Sequence, residues 1–142
     1  MPTYVGSCYC NEITYKITLS SPDEARTSIC HCRNCRKWFG SAYGITTKIP
    51  LSSLQITSGT TTKHESDNGS GTNLFREFCG TCGSGILEYG EHAKGEWRYV
   101  TYGTLDEKGQ EELKPKGEFF CKSRREWVQP VPGAFQKREI KE

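Results

Sequence analysis

The placement of the cysteines constrains this chain more than any other feature of its sequence. Seven of the eight stand in three short groups, which are Cys8-Tyr9-Cys10, Cys30-His31-Cys32-Arg33-Asn34-Cys35 and Cys79-Gly80-Thr81-Cys82. Cysteines at such spacing can direct their sulfurs at one ion, and tetrahedral zinc is the ion that they typically bind. The eighth cysteine, Cys121, stands alone. The sequence therefore predicts metal sites in preference to disulfides.

The first residues of the chain point to a reducing compartment. Met1 to Gly6 show neither the basic nor the apolar region of a secretory signal. No run of the sequence approaches the roughly 18 apolar residues that are needed to cross a bilayer. We therefore expect a cytoplasmic, intracellular protein with no membrane partner. Thiols stay reduced there, and clustered cysteines are more often metal ligands than disulfides.

The length of the chain limits the number of domains, and its net charge limits the classes of binding partner. A chain of 142 residues matches one domain, which we place at residues 1–135, followed by a charged and frayed tail at residues 136–142. The net charge of +2 provides no general field that would attract nucleic acid, so a nucleic-acid partner is disfavoured. Fifteen glycines and six prolines indicate many tight turns rather than long helices.

The pattern of apolar residues predicts a mainly β fold. Ile13, Tyr15, Ile17 and Leu19 alternate with polar residues, which is typical of a half-buried strand. One short helical turn is expected after Cys35, and no longer helical pattern is present. Further strands are predicted at residues 41–49, 60–65, 72–78, 85–89, 97–102 and 118–121. The large aromatic residues are expected mainly in the core; they are Trp38, Phe39, Trp97, Tyr99 and Trp127.

Two of the cysteine groups suit a closed structural site. The segment from Cys79 to Gly83 has the character of a zinc knuckle, with glycine where a positive φ is needed. Joining it to the first cysteine pair would tie the start of the chain to its middle. Four thiolates around one zinc leave no open position, so such a site is structural. Its predicted ligands are Cys8, Cys10, Cys79 and Cys82.

The remaining group offers three thiolates within six residues, namely Cys30, Cys32 and Cys35. Three protein ligands and an open fourth position are what a catalytic zinc needs. Three alternatives stay open at this point. His31 could complete the site, although its place between two ligands points it away, and the distant Cys121 could do so as well. The third alternative is a different partition of the cysteines between the two ions. Two zinc ions with one open site is the leading assignment.

These motifs together resemble the glutathione-dependent formaldehyde-activating enzyme family, which includes the centromere protein V group. The resemblance runs from Gly6-Ser7-Cys8-Tyr9-Cys10 through the central cysteine group and Phe78-Cys79-Gly80-Thr81-Cys82-Gly83-Ser84 to Lys122-Ser123-Arg124-Arg125-Glu126-Trp127. It implies a β-tent fold of packed antiparallel sheets, and it implies the structural and catalytic zinc sites assigned above. The chain departs from the family where Asn11 follows Cys10, because relatives commonly have glycine there. It is also shorter than the enzymes proper.

The resemblance and the open zinc position together predict a carbon–sulfur lyase. A zinc-bound thiol is deprotonated, so glutathione or another thiol could attack an aldehyde, and the reverse reaction would cleave the same bond. The predicted partner is thus a small thiol or aldehyde substrate, with glutathione as co-substrate. Its carboxylates could be bound by the basic residues that flank the open site, which are Arg33, Arg36 and Lys37.

Another class of function remains open on the sequence alone. Both zinc ions could be structural, and the domain would then recruit a protein or a nucleic acid, as in the centromere protein branch. The absence of a long basic extension in these 142 residues weakens that interpretation, because phosphate contacts would be few. A metal-storage or redox-sensing role is the least favoured hypothesis.

Overall fold

Eleven strands in two sheets form the fold in the computed structural model, which describes residues 1–140 of the chain. The strands are β1 (Thr3–Ser7), β2 (Thr14–Thr18), β3 (Arg26–Cys30), β4 (Gly44–Pro50), β5 (Leu54–Ser58), β6 (Thr62–Asp67), β7 (Asn73–Phe78), β8 (Gly85–Gly90), β9 (Trp97–Thr101), β10 (Pro115–Phe119) and β11 (Phe135–Gln136). Two short α-helices accompany them, α1 (Arg33–Phe39) and α2 (Glu107–Glu112).

The two sheets differ in size and in the direction of their strands. The small sheet has the order β1-β2-β5, and the large sheet has the order β11-β10-β3-β4-β9-β8-β7-β6. Most neighbours are antiparallel, but β10 runs parallel to both β3 and β11. The mainly β prediction with two sheets is confirmed. Two strands can pair in parallel only when a long connection joins them. The connection from β3 to β10 is long because it contains the strands β4 to β9.

The core lies between the sheets and is anchored by β2. Ile13, Tyr15, Ile17 and Leu19 are each at most 1 % exposed, as their alternation predicted. They meet apolar side chains from the large sheet, among them Ile49, Ile86, Leu87 and Val100. Burying a side chain of this size stabilises the fold by about 1.5–3 kcal/mol. The core therefore holds the two sheets in a fixed relation.

The predicted hairpins are present with small shifts in their bounds. β6 pairs antiparallel with β7, from Thr62 opposite Phe78 to Asp67 opposite Asn73. Strands β8 and β9 are also antiparallel neighbours. The loop between β6 and β7 is closed by the Asp67 carboxylate, which accepts hydrogen bonds from the backbone N–H groups of Gly69 and Gly71. The predicted helical turn is part of α1.

The end of the chain is more ordered than its sequence suggests. Gln136 belongs to β11, which pairs with β10. The carbonyl groups of Lys137 and Glu139 accept hydrogen bonds from the backbone of Cys121 and Phe120. Fraying from residue 136 onward is therefore a wrong prediction for residues 136–139, because backbone pairing fixes a charged segment as well as an apolar one. The last two residues of the predicted tail lie outside the described part of the chain.

Within residues 1–140, no helix combines the length and the apolar character needed to cross a membrane. Both helices are short, and each begins at a residue whose side chain caps it. Asp106 accepts a hydrogen bond from the N–H of Gly109 at 2.9 Å and so caps α2, and Cys32 caps α1 in the same manner.

Candidate active site

The first cysteine cluster joins the start of the chain to the turn between β7 and β8. Its four sulfur atoms all lie within 4.8 Å of one another. The Sγ atoms of Cys8 and Cys10 are 3.6 Å apart, and those of Cys10 and Cys79 are 3.8 Å apart. A tetrahedral ion with Zn–S bonds of about 2.3 Å separates its sulfur ligands by about 3.8 Å. The four donors, Cys8, Cys10, Cys79 and Cys82, thus fit a single zinc ion.

The backbone around this cluster explains the residues that follow each cysteine pair. Gly83 comes after Cys82 with φ of +80°, and Asn11 comes after Cys10 with φ of +68°. Glycine adopts this conformation freely, and asparagine is the side chain that tolerates it best after glycine. Asn11 is therefore compatible with the fold although relatives commonly have glycine there. A hydrogen bond from Ser84 lowers the pKa of Cys82 to about 5, which favours its thiolate.

The second cluster forms where β3 passes into α1. Cys30 ends β3, Cys32 is the N-cap of α1, and Cys35 lies in the first turn of the helix. The N–H of Cys35 donates to the Sγ of Cys32 at 3.4 Å. Their three sulfur atoms lie within 4.8 Å of one another. The strand-to-helix junction therefore brings three thiols together within one local segment.

The pKa values of the three thiols in the second cluster indicate that all three ionise only beside a cation. Hydrogen bonds from the thiols of Cys30 and Cys35 lower the pKa of Cys32 to about 2. The hydrogen bond to Cys32 in turn raises the pKa of Cys30 to about 12. The pKa of Cys35 is also raised, first by its hydrogen bond to Cys30 and then by the one to Cys32. The protein atoms alone thus hold one negative charge readily. Ionising all three sulfurs requires a positive charge among them, and a bound metal ion supplies one.

His31 and Cys121 lie outside both clusters. His31 is fully buried, and its Nε2 donates a hydrogen bond of 2.6 Å to the carboxylate of Glu118. The His31 side chain therefore points away from the neighbouring cysteines, as its position between Cys30 and Cys32 predicted. Cys121 is half-buried rather than buried as its apolar neighbours suggest, and its Sγ donates to Gln136 at 3.3 Å.

Glu118 ties the second cluster to the end of the chain. Besides His31, it accepts hydrogen bonds from Arg124 at 3.1 Å, from the backbone N–H of Val131 at 2.7 Å and from Gln136 at 2.8 Å. Burial raises the pKa of this carboxyl, but the hydrogen bonds outweigh burial and hold its pKa at about 2. Glu118 is thus ionised and satisfied, and it fixes the His31 turn from behind.

Two cavities meet at the second cluster. A large cleft of about 630 Å³ is lined by residues that include Cys32, Arg33, Cys35, Arg76, Glu88 and Lys122. A small pocket of about 210 Å³ is lined by residues that include Arg26, Ser28, Cys30, Cys35, Glu88 and Tyr99. Cys35 and Glu88 belong to both. The cysteine cluster is therefore accessible from two sides, of which one has the size of a typical ligand site and the other suits only a small fragment.

A charged pair stands at the boundary of the two cavities. Arg76 on β7 and Glu88 on β8 occupy directly opposite positions, with 3.4 Å between Nε and Oε1. Burial raises the pKa of the Glu88 carboxyl, and Arg76 opposes part of that shift. Sequence reasoning missed both residues. The available signal was a charged side chain in the middle of each apolar strand, since Leu74-Phe75 precedes Arg76 and Ile86-Leu87 precedes Glu88.

The basic residues predicted around the open site are divided between two places. Arg33 lines the large cleft. Arg36 and Lys37 line a neighbouring groove of about 350 Å³, which Arg33 also borders. Trp127 lines this groove and is 75 % exposed, so its predicted place in the core is wrong. The late segment that carries Trp127 leaves the sheet instead of packing beneath it.

The fold and the two clusters define a class: a mainly β, single-domain protein with two cysteine sites that could hold metal ions. The family model described as glutathione-dependent formaldehyde-activating enzyme matches residues 3–123. The chain therefore belongs to that family.

Two known proteins illustrate the similarity. An uncharacterized lyase of Schizosaccharomyces pombe is 31 % identical over 84 residues, which cover 59 % of this chain and 56 % of the relative. The chain thus spans little more than half the length of that relative. A crystal structure of a Rhodobacter sphaeroides protein matches with a TM-score of 0.55 at 23 % identity, covering 72 % of this chain and 88 % of the other. At that identity the second match supports the fold alone.

Proposed function

We propose that this protein is a zinc-dependent enzyme of the carbon–sulfur lyase type. Its substrate would be the adduct of an aldehyde, or a related small metabolite, with glutathione or another thiol. The observation that carries the proposal is the position of the three-cysteine cluster between a wide cleft and a narrow pocket. A thiol carrier and a small carbonyl compound could approach the cluster from opposite sides. Family membership supports the same assignment.

The donor sets favour different roles for the two clusters. Four cysteines saturate a tetrahedral ion, so we assign the site of Cys8, Cys10, Cys79 and Cys82 to a structural zinc. Three cysteines leave one position for a ligand, so we assign the site of Cys30, Cys32 and Cys35 to a catalytic zinc. When bound there, zinc supplies the positive charge that favours the ionised form of an incoming thiol.

The reaction needs no further reactant. The thiol sulfur forms a bond to the carbonyl carbon, the π electrons of the C=O bond move to its oxygen, and the proton lost by the thiol ends on that oxygen. The reverse reaction breaks the carbon–sulfur bond and returns the proton to sulfur. The chain must therefore hold the two reactants in line and move one proton between two atoms.

Glu88 is placed for the proton transfer. Its carboxyl lines both cavities, so it can face the thiol on one side and the carbonyl oxygen on the other. Arg76 holds it in place across the strands. A carboxyl that is buried beside reacting groups is a suitable acid and base, since burial brings its two protonation states closer in free energy. We propose Glu88 as the proton carrier.

Basic side chains of the large cleft would orient the thiol carrier. Glutathione has two carboxylates, and Arg33, Arg76 and Lys122 line the cleft. Arg76 is already paired with Glu88, and Lys122 is paired with Glu139. Arg33 is therefore the principal proposed contact. Arg36 and Lys37 would contact only a part of the ligand that extends into the neighbouring groove.

The test is the rate at which glutathione and formaldehyde exchange with their adduct, measured by magnetization-transfer NMR on zinc-loaded protein. We expect wild-type protein to accelerate the exchange and Cys32→Ser to abolish the acceleration. Cys121→Ser is the matched control, because Cys121 lies outside both clusters, and it should retain the wild-type rate. Exchange that proceeds at the same rate with and without the wild-type protein, for formaldehyde and for larger aldehydes alike, would contradict the proposed function.

A further inference from the structure

One face of β3 presents a cation, a hydroxyl and a cysteine in a row. Arg26, Ser28 and Cys30 occupy alternate positions of the strand, and all three line the small pocket. Alternate residues of a strand share a face and are separated by about 6.6 Å along it. Thr27 and Ile29, between them, are buried on the opposite face. The strand therefore carries a polar track that leads from Arg26 to the second cysteine cluster.

Two polar atoms of this track lack a partner in the described chain. The Oγ of Ser28 and the Nε of Arg26 are both buried, and neither forms a hydrogen bond within residues 1–140. Ser28 as a whole is only 8 % exposed. Within the same residues, no carboxylate forms an ion pair with Arg26. Buried polar atoms are nearly always satisfied in native proteins, so a pocket that gathers two exceptions is suited to a polar ligand.

The charges around Arg26 favour an anion. Its guanidinium packs over the ring of Phe119, with 5.2 Å from Cζ to the centroid, which leaves the edge of the fork for another group. Lys48 is its direct neighbour on β4, so a second cation lies beside it. The acidic side chain that lines the pocket is Glu88, and it is paired with Arg76 on the other side.

We propose that the small pocket binds the aldehyde-derived part of the substrate and that this part carries a carboxylate, which Arg26 and Ser28 bind. The proposal rests on the proposed function and adds the class of aldehyde. A guanidinium matches a carboxylate with two parallel hydrogen bonds, and the Ser28 hydroxyl can donate a third. Formaldehyde has no such group and would leave both side chains without a partner. The pocket volume of about 210 Å³ restricts the compound to a few carbon atoms.

The first experiment measures binding without catalysis. The probe is glycolate, which has a carboxylate but no aldehyde, and its affinity is measured by NMR titration of the zinc-loaded protein. We expect the amide signals of residues 26–30 to shift, and we expect glycolate to bind at least tenfold more weakly to Arg26→Met. Ser28→Ala should weaken binding severalfold. Lys63→Met, which removes an exposed cation on β6, is the matched control and should bind as the wild type does.

The second experiment compares glyoxylate with acetaldehyde as the partner of glutathione. We expect the wild type to favour glyoxylate by tenfold or more in kcat/KM, and Arg26→Met to lose most of that preference. No binding of glycolate, or equal binding by wild type and a folded Arg26→Met variant, would overturn the inference. Activity with acetaldehyde and formaldehyde but no preference for glyoxylate would also overturn it, while leaving the proposed function intact. If the wild type binds glycolate through Arg26 but acts on none of the aldehydes, the proposed function is rejected. The carboxylate-binding site is then retained.

Discussion

Arg76 and Glu88 face each other across β7 and β8, with 3.4 Å between Nε and Oε1, at the boundary between the two cavities. Their side chains are 8 % and 16 % exposed, so the pair is largely removed from water. Ion pairs of this kind contribute little net stability, because desolvation offsets much of the attraction. Their position beside the second cysteine cluster instead indicates a role in the site.

Removing the Glu88 carboxylate should slow the reaction. A positioned acid or base contributes typically about 100- to 10,000-fold to a rate, so we expect Glu88→Gln to lower kcat by at least 100-fold. The measurement is the NMR exchange rate of the glutathione–aldehyde adduct. Glu91→Gln, an exposed carboxylate in the turn after β8, should leave the rate unchanged. A Glu88→Gln variant with wild-type rate and two bound zinc ions would remove Glu88 from the mechanism.

Removing the arginine of the pair should cost stability. Arg76→Met leaves a buried carboxylate without its partner, and we expect a loss of about 3 kcal/mol in the free energy of unfolding. The double variant Arg76→Met/Glu88→Gln should recover part of that loss, since it no longer contains an unpaired charge. Urea unfolding of the zinc-loaded proteins measures both. Equal losses in the single and double variants would show that Arg76 acts through packing, for example against Trp38, rather than through its charge.

Glu118 should make the stability of the fold depend on pH in the acid range. Its pKa is lowered to about 2 in the folded state, so the stabilisation is complete above the ordinary pKa of a glutamate and is lost as the pH falls towards 2. Above pH 5, we expect the free energy of unfolding of the wild type to exceed that of Glu118→Gln by on the order of 3 kcal/mol. The difference should shrink steadily between pH 4.5 and pH 2. Zinc content is measured at each pH, so that loss of metal in acid is separated from the titration of Glu118. A difference that is constant over this range would contradict the hydrogen-bonded carboxylate.

The sequence predicted the elements whose pattern is local. The alternation around Ile17 and the hairpin that contains β6 and β7 are both present. Strand β3 was not predicted, because Arg26 and Ser28 interrupt the apolar alternation and turn into the small pocket. Helix α2 was also missed, since it is only six residues long and is set by the cap from Asp106. The pocket that β3 faces is built from distant parts of the chain, which no short window of sequence contains. The cap of α2 is local, but six residues are too few to show a helical period.

The candidate site shows the same division. Spacing within the sequence indicated both cysteine groups, and the fold brings each group together. The charged residues around the second cluster could not be placed, because Arg26, Arg76 and Glu88 come from three different strands. The order of strands in the large sheet places Arg76 beside Glu88, whereas Arg26 lies three strands away from Glu88 and meets it in the lining of the small pocket. Charged residues inside apolar strands were the one available signal.

The zinc content per chain, measured by inductively coupled plasma mass spectrometry, tests the proposed open site most directly. The comparison is wild type against Cys32→Ser, each dialysed against a chelator with and without glutathione, with Cys121→Ser as the control. We predict two zinc ions in wild type and in the control, one in Cys32→Ser, and slower loss of the second ion when glutathione is present. A single zinc ion that is indifferent both to Cys32→Ser and to glutathione would contradict a catalytic zinc at Cys30, Cys32 and Cys35.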